Sequence, residues 1–252
     1  MNFEKEFKKY ATKHVGLNEL TTDNIIDHQI QSSVSPMIIE ERQLNVIAMS
    51  VFDRLMKDRI IWVSGVVESR MCAVIQAQLM FLDSVDKKKD IIMHLDTPGG
   101  SVLSGLAIRD VMNYVKPDIV TINTGMCASM GSILISSGAK GKRSSLVFSK
   151  VMAHHVCSGT SGVIDDQRIS LMEAEKYNYI LFKILAENCG KTFDEVHDIS
   201  RRDKWFNSEE ALSFGLIDEI IGLNNDVCIN RPVSHYMDGF DDYYQKEVMK
   251  KV

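Results

Sequence analysis

Thr124-Gly125-Met126-Cys127-Ala128-Ser129-Met130-Gly131-Ser132-Ile133-Leu134 is the stretch on which the reading of this chain turns. An apolar run, residues 119–122, leads into it, and a second, residues 133–135, closes it. The pattern is a buried strand, a turn of small residues and the first turn of a buried helix. A serine at that junction has its hydroxyl beside amide N–H groups without intrahelical partners, at the positive end of the helix. Those amides can hold an oxyanion while the hydroxyl attacks a carbonyl. An N-cap serine would have the same surroundings, so the turn alone does not choose between the two.

Upstream, residues 59–67 read as a buried strand, and Met71, Val74, Ile75, Leu79 and Leu82 as one apolar helix face. A polar loop at 87–90 precedes a second strand at 91–95, which Asp96-Thr97-Pro98-Gly99-Gly100 breaks. Leu103, Leu106, Ala107, Val111, Tyr114 and Val115 form the next helical stripe, ended by Pro117. Further upstream, residues 47–55 are weakly helical. Downstream, Gly138 closes the helix after Ser129, residues 140–143 form a basic turn, and short strands follow at 146–148 and 151–154. A long helix is expected over 164–188. Asn207-Ser208-Glu209-Glu210 has the form of a capping box, Gly215 stops its helix, and 216–221 is a last strand. Strands and helices alternate, which predicts an α/β domain over residues 35–222. Residues 1–34 read as an arm or removable pro-segment, and 223–252 as a polar, peripheral tail.

The chain has 252 residues, 45% hydrophobic and 25% charged, with a net charge of -5. This balance gives no reason to expect nucleic acid or an anionic membrane as partner. No apolar run approaches a membrane span, and the first ten residues lack the apolar core of a secretory signal. Cys72, Cys127, Cys157, Cys189 and Cys228 are odd in number and show no CxxC spacing. They suit reduced thiols in a cytoplasm better than a disulfide framework or a zinc site.

Three side chains complete a candidate chemistry. A serine hydroxyl needs a base within hydrogen-bond reach, and that base needs a carboxylate to fix its tautomer. His154, at the end of an apolar strand, and Asp203, ahead of Lys204-Trp205-Phe206, are the candidates beside Ser129. The Gly-Gly of Thr97-Pro98-Gly99-Gly100 lets a bare amide approach a ligand, so the amides of Gly100 and Met130 form a possible two-donor oxyanion hole. Cys127 stands where a G-x-S-x-G elbow has its first glycine, which disfavours an α/β-hydrolase. Spacing alone leaves open a structural histidine and a solvated Asp203 among Arg202 and Lys204.

Residues 36–221 resemble the proteolytic subunit of the ATP-dependent Clp protease, ClpP. The resemblance rests on Thr97-Pro98-Gly99-Gly100-Ser101-Val102, Lys116-Pro117-Asp118, Gly125-Met126-Cys127-Ala128-Ser129-Met130-Gly131, Gly138-Ala139-Lys140-Gly141-Lys142-Arg143 and Arg202-Asp203. It implies a ClpP/crotonase-like superhelix of ββα units with a long protruding handle helix. It implies Ser129 as nucleophile, His154 as base, Asp203 as orienting carboxylate, and the amides of Gly100 and Met130 as oxyanion hole. Arg202 would serve the contact between rings, and the helix from Ile164 would be the handle through which two heptameric rings stack. Partners would be other ClpP-type subunits in homomeric or mixed rings, an AAA+ unfoldase and unfolded protein substrates. The subunit would need no cofactor of its own, ATP being used by the unfoldase. Residues 1–34 precede the match to the start of mature subunits at Pro36-Met37-Ile38-Ile39-Glu40 and would be removed.

Departures from the family cluster on surfaces. His155-Val156-Cys157-Ser158-Gly159-Thr160-Ser161-Gly162 replaces Gln-Pro and a glycine-rich stretch, and Leu44-Asn45-Val46-Ile47-Ala48-Met49 replaces a polar piece of the axial loop. Ile92, His94 and Ser144 stand where the unfoldase-docking patch is commonly aromatic, while Tyr114 remains aromatic. Such drift points to a divergent paralogue and leaves two alternatives open. One is a silent or regulatory ring subunit; the other is a crotonase-like acyl-CoA enzyme, for which a Ser-His-Asp set would be superfluous.

Overall fold

Strand β3 (Ile60–Ser64), β4 (Ile91–Thr97) and β5 (Ile119–Ala128) are parallel neighbours in one sheet. The computed structural model describes residues 37–42, 45–222, 231–238 and 240–243. The expected arm at 1–34 and most of the expected tail lie outside these residues.

The chain divides into two units between Asp58 and Arg59. In the first, β1 (Met37–Arg42) pairs antiparallel with β2 (Asn45–Ser50), and helix α1 (Val51–Lys57) follows. The weakly helical reading of 47–55 is therefore half wrong. Asn45-Val46-Ile47-Ala48-Met49 pairs with β1, and Ser50 ends the strand by capping the helix, its Oγ accepting from the Asp53 N–H at 3.0 Å.

In the second unit the main path is β3-β4-β5-β6-β9, with β6 (Arg143–Leu146) and β9 (Glu219–Ile221) extending the parallel set. The carboxyl half of β5 turns to a different neighbour, pairing parallel with β7 (Lys150–Ala153). Strand β8 (Lys204–Phe206) then pairs antiparallel with β7. Crossover helices α2 (Ser69–Val85) and α3 (Val102–Tyr114) connect β3 to β4 and β4 to β5. Helix α4 (Met130–Ser136) is buried at every residue, which places the quoted stretch at the centre of the core.

Several boundaries and faces differ from expectation. On α2 the buried face is Cys72, Ile75, Leu79 and Leu82, while Val74 is exposed. On α3 it is Gly105, Ile108 and Met112, with Leu103 and Tyr114 exposed. The α2 stripe is largely the expected one, with Ile75, Leu79 and Leu82 buried, whereas α3 carries apolar residues around more than one face, so periodicity alone selects the wrong stripe there. Arg143 is not in a solvated basic turn. It opens β6, buried, with its guanidinium bidentate on Asp218 at 2.6 and 2.8 Å and on the carbonyls of Ser136 and Asn188. Leu146 ends this strand, so Val147 and Phe148 lie in the turn to β7.

Helix α5 (Ile164–Cys189) matches the expected long helix and ends on Gly190 in the left-handed conformation. At 26 residues it is about 39 Å long, and its buried residues, Leu181, Phe182, Ile184, Leu185 and Ala186, all lie in its last third. The first two-thirds therefore stand clear of the core. Helix α6 (Phe193–Ile199) follows, and α7 (Ser208–Phe214) begins with the expected Asn207–Glu210 capping box and stops at Gly215. The mixed α/β architecture with a parallel-dominated sheet is the fold class expected from the sequence.

Candidate active site

Strand register gathers the candidate residues at one end of the sheet. Thr97 lies opposite Cys127, and Ala128 opposite Met152, so the chain leaving β4, β5 and β7 emerges at one place. Ala153 pairs with Lys204 in the antiparallel β7–β8 ladder, which brings the next residue, His154, level with the preceding one, Asp203. The carboxyl ends of parallel strands are where open α/β sheets hold their ligands.

Ser129 is held in an unusual backbone conformation, φ 54° and ψ −116°, with its N–H bonded to the Met152 carbonyl at 2.8 Å. Its hydroxyl makes no capping hydrogen bond, so the N-cap reading of this serine fails on its side chain. Oγ lies instead 2.9 Å from His154 Nε2, and His154 Nδ1 lies 3.2 Å from Asp203 Oδ1. An ionised carboxylate only accepts, which places the proton on Nδ1 and leaves Nε2 to accept from the serine hydroxyl. His154 is mostly buried, whereas the Asp203 side chain is 64% exposed in the single chain.

The Pro-Gly-Gly turn packs directly under the serine. Gly99 has φ +89°, and a Cβ there would stand 2.7 Å from Ser129 Cβ and 2.8 Å from the Met130 nitrogen, so no side chain fits. Thr97, fully buried, accepts the Gly99 N–H on its Oγ1 at 3.0 Å. Val67 donates to the Gly99 carbonyl and accepts from the Ser101 N–H, both at 2.8 Å. Residues on both sides of Gly100 are thus tied down, and Gly100 and Met130 line the same cavity as Ser129 and His154. This cavity measures about 210 Å³, and Leu181 and Phe182 of α5 supply an apolar wall.

The other expected residues are placed separately. Arg202 is exposed in the turn ahead of Asp203. His94 pairs in register with Ile122, and Ile122 with Ser144, so Ile92, His94 and Ser144 share the other sheet face from Met93 and Leu95. His94 stacks on Trp62 at 4.8 Å, and burial lowers its pKa. Ser144 is buried, and Tyr114 stands exposed at the end of α3. Sequence reasoning missed Thr97 as a support of the Gly99 turn, and Asn178 of α5, which bonds residues 155 and 156. The threonine stands within the quoted Thr-Pro-Gly-Gly motif; nothing local marks the asparagine. Among the described residues no group of His, Cys, Asp and Glu is arranged to hold a metal ion, and no helix is long and apolar enough to cross a membrane.

Comparison with known proteins gives a consistent result. The family model described as Clp protease matches residues 42–224. The ATP-dependent Clp protease proteolytic subunit of Porphyromonas gingivalis is 47% identical over 220 residues, covering 87% of this chain and 98% of that protein. The protein of that description in Bacteroides fragilis is 45% identical over 216 residues, covering 86% and 98%. One from Streptococcus agalactiae is 45% identical over 192 residues, covering 75% and 98%.

Proposed function

The chain belongs to the Clp protease family, and from that premise we propose that it is a serine endopeptidase subunit with Ser129, His154 and Asp203 as its catalytic residues. The observation that carries this is the hydrogen-bonded series Ser129 Oγ–His154 Nε2 and His154 Nδ1–Asp203 Oδ1. In acylation, Ser129 Oγ attacks the peptide carbonyl carbon as its proton passes to His154 Nε2. The oxyanion is received by the amides of Gly100 and Met130, in a role where one lost donor costs about 10²–10³ in rate. The C–N bond then breaks, and the imidazolium gives its proton to the leaving amine. A water attacks the acyl-serine, losing its proton to His154, and Ser129 is released with the acid product. Asp203 stays ionised throughout and holds Nδ1–H.

The wider assembly follows from the same premise: double heptameric rings, homomeric or mixed with another ClpP-type subunit, fed with unfolded protein by an AAA+ unfoldase in the cytoplasm. The subunit itself would use no cofactor. In such rings the exposed part of α5 would be the handle, Arg202 would lie at the ring contact, and the sheet face bearing Ile92, His94 and Ser144 would receive the unfoldase together with Tyr114. A second reading, a catalytically weak or silent regulatory ring subunit in a mixed complex, draws on the exposure of Asp203. The test is fluorophosphonate labelling of the purified, size-fractionated protein, read by intact mass. One adduct on the wild type and none on Ser129→Ala is the expected result. A ring-sized particle that takes no adduct would instead support the silent subunit.

A further inference from the structure

The chain leaving His154 is held by side chains rather than by a ladder, since β7 ends at Ala153. Asn178, on α5, spans the next two residues. Its Oδ1 accepts the Val156 N–H at 3.0 Å, and its Nδ2 stands 3.2 Å from His155 Nδ1. With Oδ1 engaged by an N–H, the amide group facing His155 is a donor, so His155 Nδ1 must carry a lone pair. The ring itself is wedged edge-on between Phe182 of α5, at 4.8 Å, and His197 of α6, at 5.1 Å. Its Nε2 is enclosed and has no hydrogen-bond partner among the described residues. His155, Val156 and Phe182 are also wall residues of the cavity that contains Ser129.

We infer that Asn178 and His155 form a positioning clamp for the peptidase site, one that fastens the segment after His154 to the long helix only while His155 is neutral. The inference rests on the peptidase reading above. A proton on Nδ1 would set two donors face to face across 3.2 Å, and the carboxamide cannot turn to accept without abandoning the Val156 N–H. Among the described groups around the ring, no carboxylate is left uncommitted to compensate. Asn178 and Phe182, through which α5 meets the ring, do not titrate. From the other side come His197, Asp198 and Arg201, with Asp198 engaged by Arg201 at 2.8 Å and by His197 at 3.4 Å. Within the chain, His154 adjoins the ring, its carboxylate Asp203 being used on Nδ1. Burial is the main influence on His155 and holds its pKa below the ordinary histidine value. The His197 carbonyl opposes this, and positive charge from His197, His154 and Arg201 adds to it.

The clamp predicts two protons in the acid limb of the reaction where the catalytic base alone gives one. The measurement is the second-order rate of fluorophosphonate labelling at Ser129 in full-length protein, from about pH 8 down to about pH 5. Light scattering on each sample keeps the comparison on one particle. The wild-type rate should fall about tenfold per pH unit where one group titrates, steepening toward about a hundredfold once the second does. His155→Asn keeps an acceptor near the Nδ1 position but does not titrate; it should label more slowly yet follow the one-proton line throughout. Asn178→Asp offers a carboxylate to a protonated His155 and should abolish the steep part too. Asn178→Ala should label about tenfold more slowly near pH 8, the loss expected for one hydrogen bond. A one-proton limb in the wild type, or a steep limb that survives in His155→Asn, overturns the clamp. So does Asn178→Ala labelling at the wild-type rate. If Asn178→Ala fails to fold, the wild-type and Asn178→Asp profiles decide alone. Wild-type protein that never labels overturns the peptidase reading and the clamp with it, whereas normal labelling with unchanged limbs overturns the clamp only.

Discussion

Replacing Ser129 by glycine and, separately, by alanine isolates the strain in the serine turn. Both variants lose the hydroxyl and its 2.9 Å contact with His154, so that loss cancels between them. What differs is a Cβ held at φ 54°, ψ −116°. These are the angles of the first central position of a type II′ turn, which glycine dominates because L-residues clash there. Such a conformation costs about 1–3 kcal/mol when a side chain is present. Glycine relieves it but gives the unfolded chain more freedom, an opposing effect of about 0.4–1 kcal/mol. Ser129→Gly is therefore expected to be more stable than Ser129→Ala by about 0.5–2 kcal/mol, although neither can act as a nucleophile. The assay is urea unfolding of both variants at one protein concentration, because assembly contributes to apparent stability. Equal slopes with a higher midpoint for glycine are expected. An alanine variant as stable as the glycine variant, or more so, would refute the claim that the turn stores strain.

The buried ion pair gives a pH-dependent prediction. Arg143 chiefly, through its side chain, holds the Asp218 pKa below the usual carboxylate value, and the Gly141 N–H contributes. The Arg143 side chain is 4% exposed, so Asp218→Asn leaves a buried charge without its counter-ion and should cost about 3 kcal/mol at neutral pH. Because the folded pKa is depressed, this stability is full above the unfolded value, about pH 4, and is lost as pH falls through the folded one. Denaturant midpoints of the two proteins should converge below about pH 4; a constant gap would contradict the ion-pair account. The thiols give another prediction. Cys157 is exposed, Cys127 is fully buried with its pKa pushed well up by burial and then by Asp96, and burial pushes Cys189 up to about 11. Iodoacetamide on the native protein, followed by peptide mass mapping, should find Cys157 modified first among the cysteines of the described residues, and Cys127 only after unfolding. A native adduct on Cys127 would show that the centre of the core opens.

What was legible in the sequence was the part written in local chemistry. The strand–turn–helix around Ser129, the long helix from Ile164 and the Asn207 cap are visible because small residues, periodic apolar residues and capping pairs act over a few positions. The face of α3, and Val74 on α2, were misread because Val74, Leu103 and Tyr114 carry large apolar surface yet are exposed in the single chain. Hydropathy does not separate a core from a surface awaiting a partner. Arg143 was misread for another reason: its partner Asp218 lies 75 residues away. Asn178 likewise meets His155 from 23 residues along the chain, across a contact made by the fold alone.

The same distinction bears on the site itself. Ser129 and His154 are located by ladder register, Ala128 against Met152 and Ala153 against Lys204, so substitutions on the outward sheet face leave both in place. His94 and Ser144 belong to the sheet face opposite Met93 and Leu95. Asp203 is the member with least enclosure, 64% exposed and at the longer of the two distances, 3.2 Å. Water at that carboxylate screens its hold on the imidazolium, and the interaction strengthens several-fold when water is replaced by protein. A neighbouring subunit laid over Asp203 would therefore strengthen its hold on the imidazolium without moving any atom of the triad.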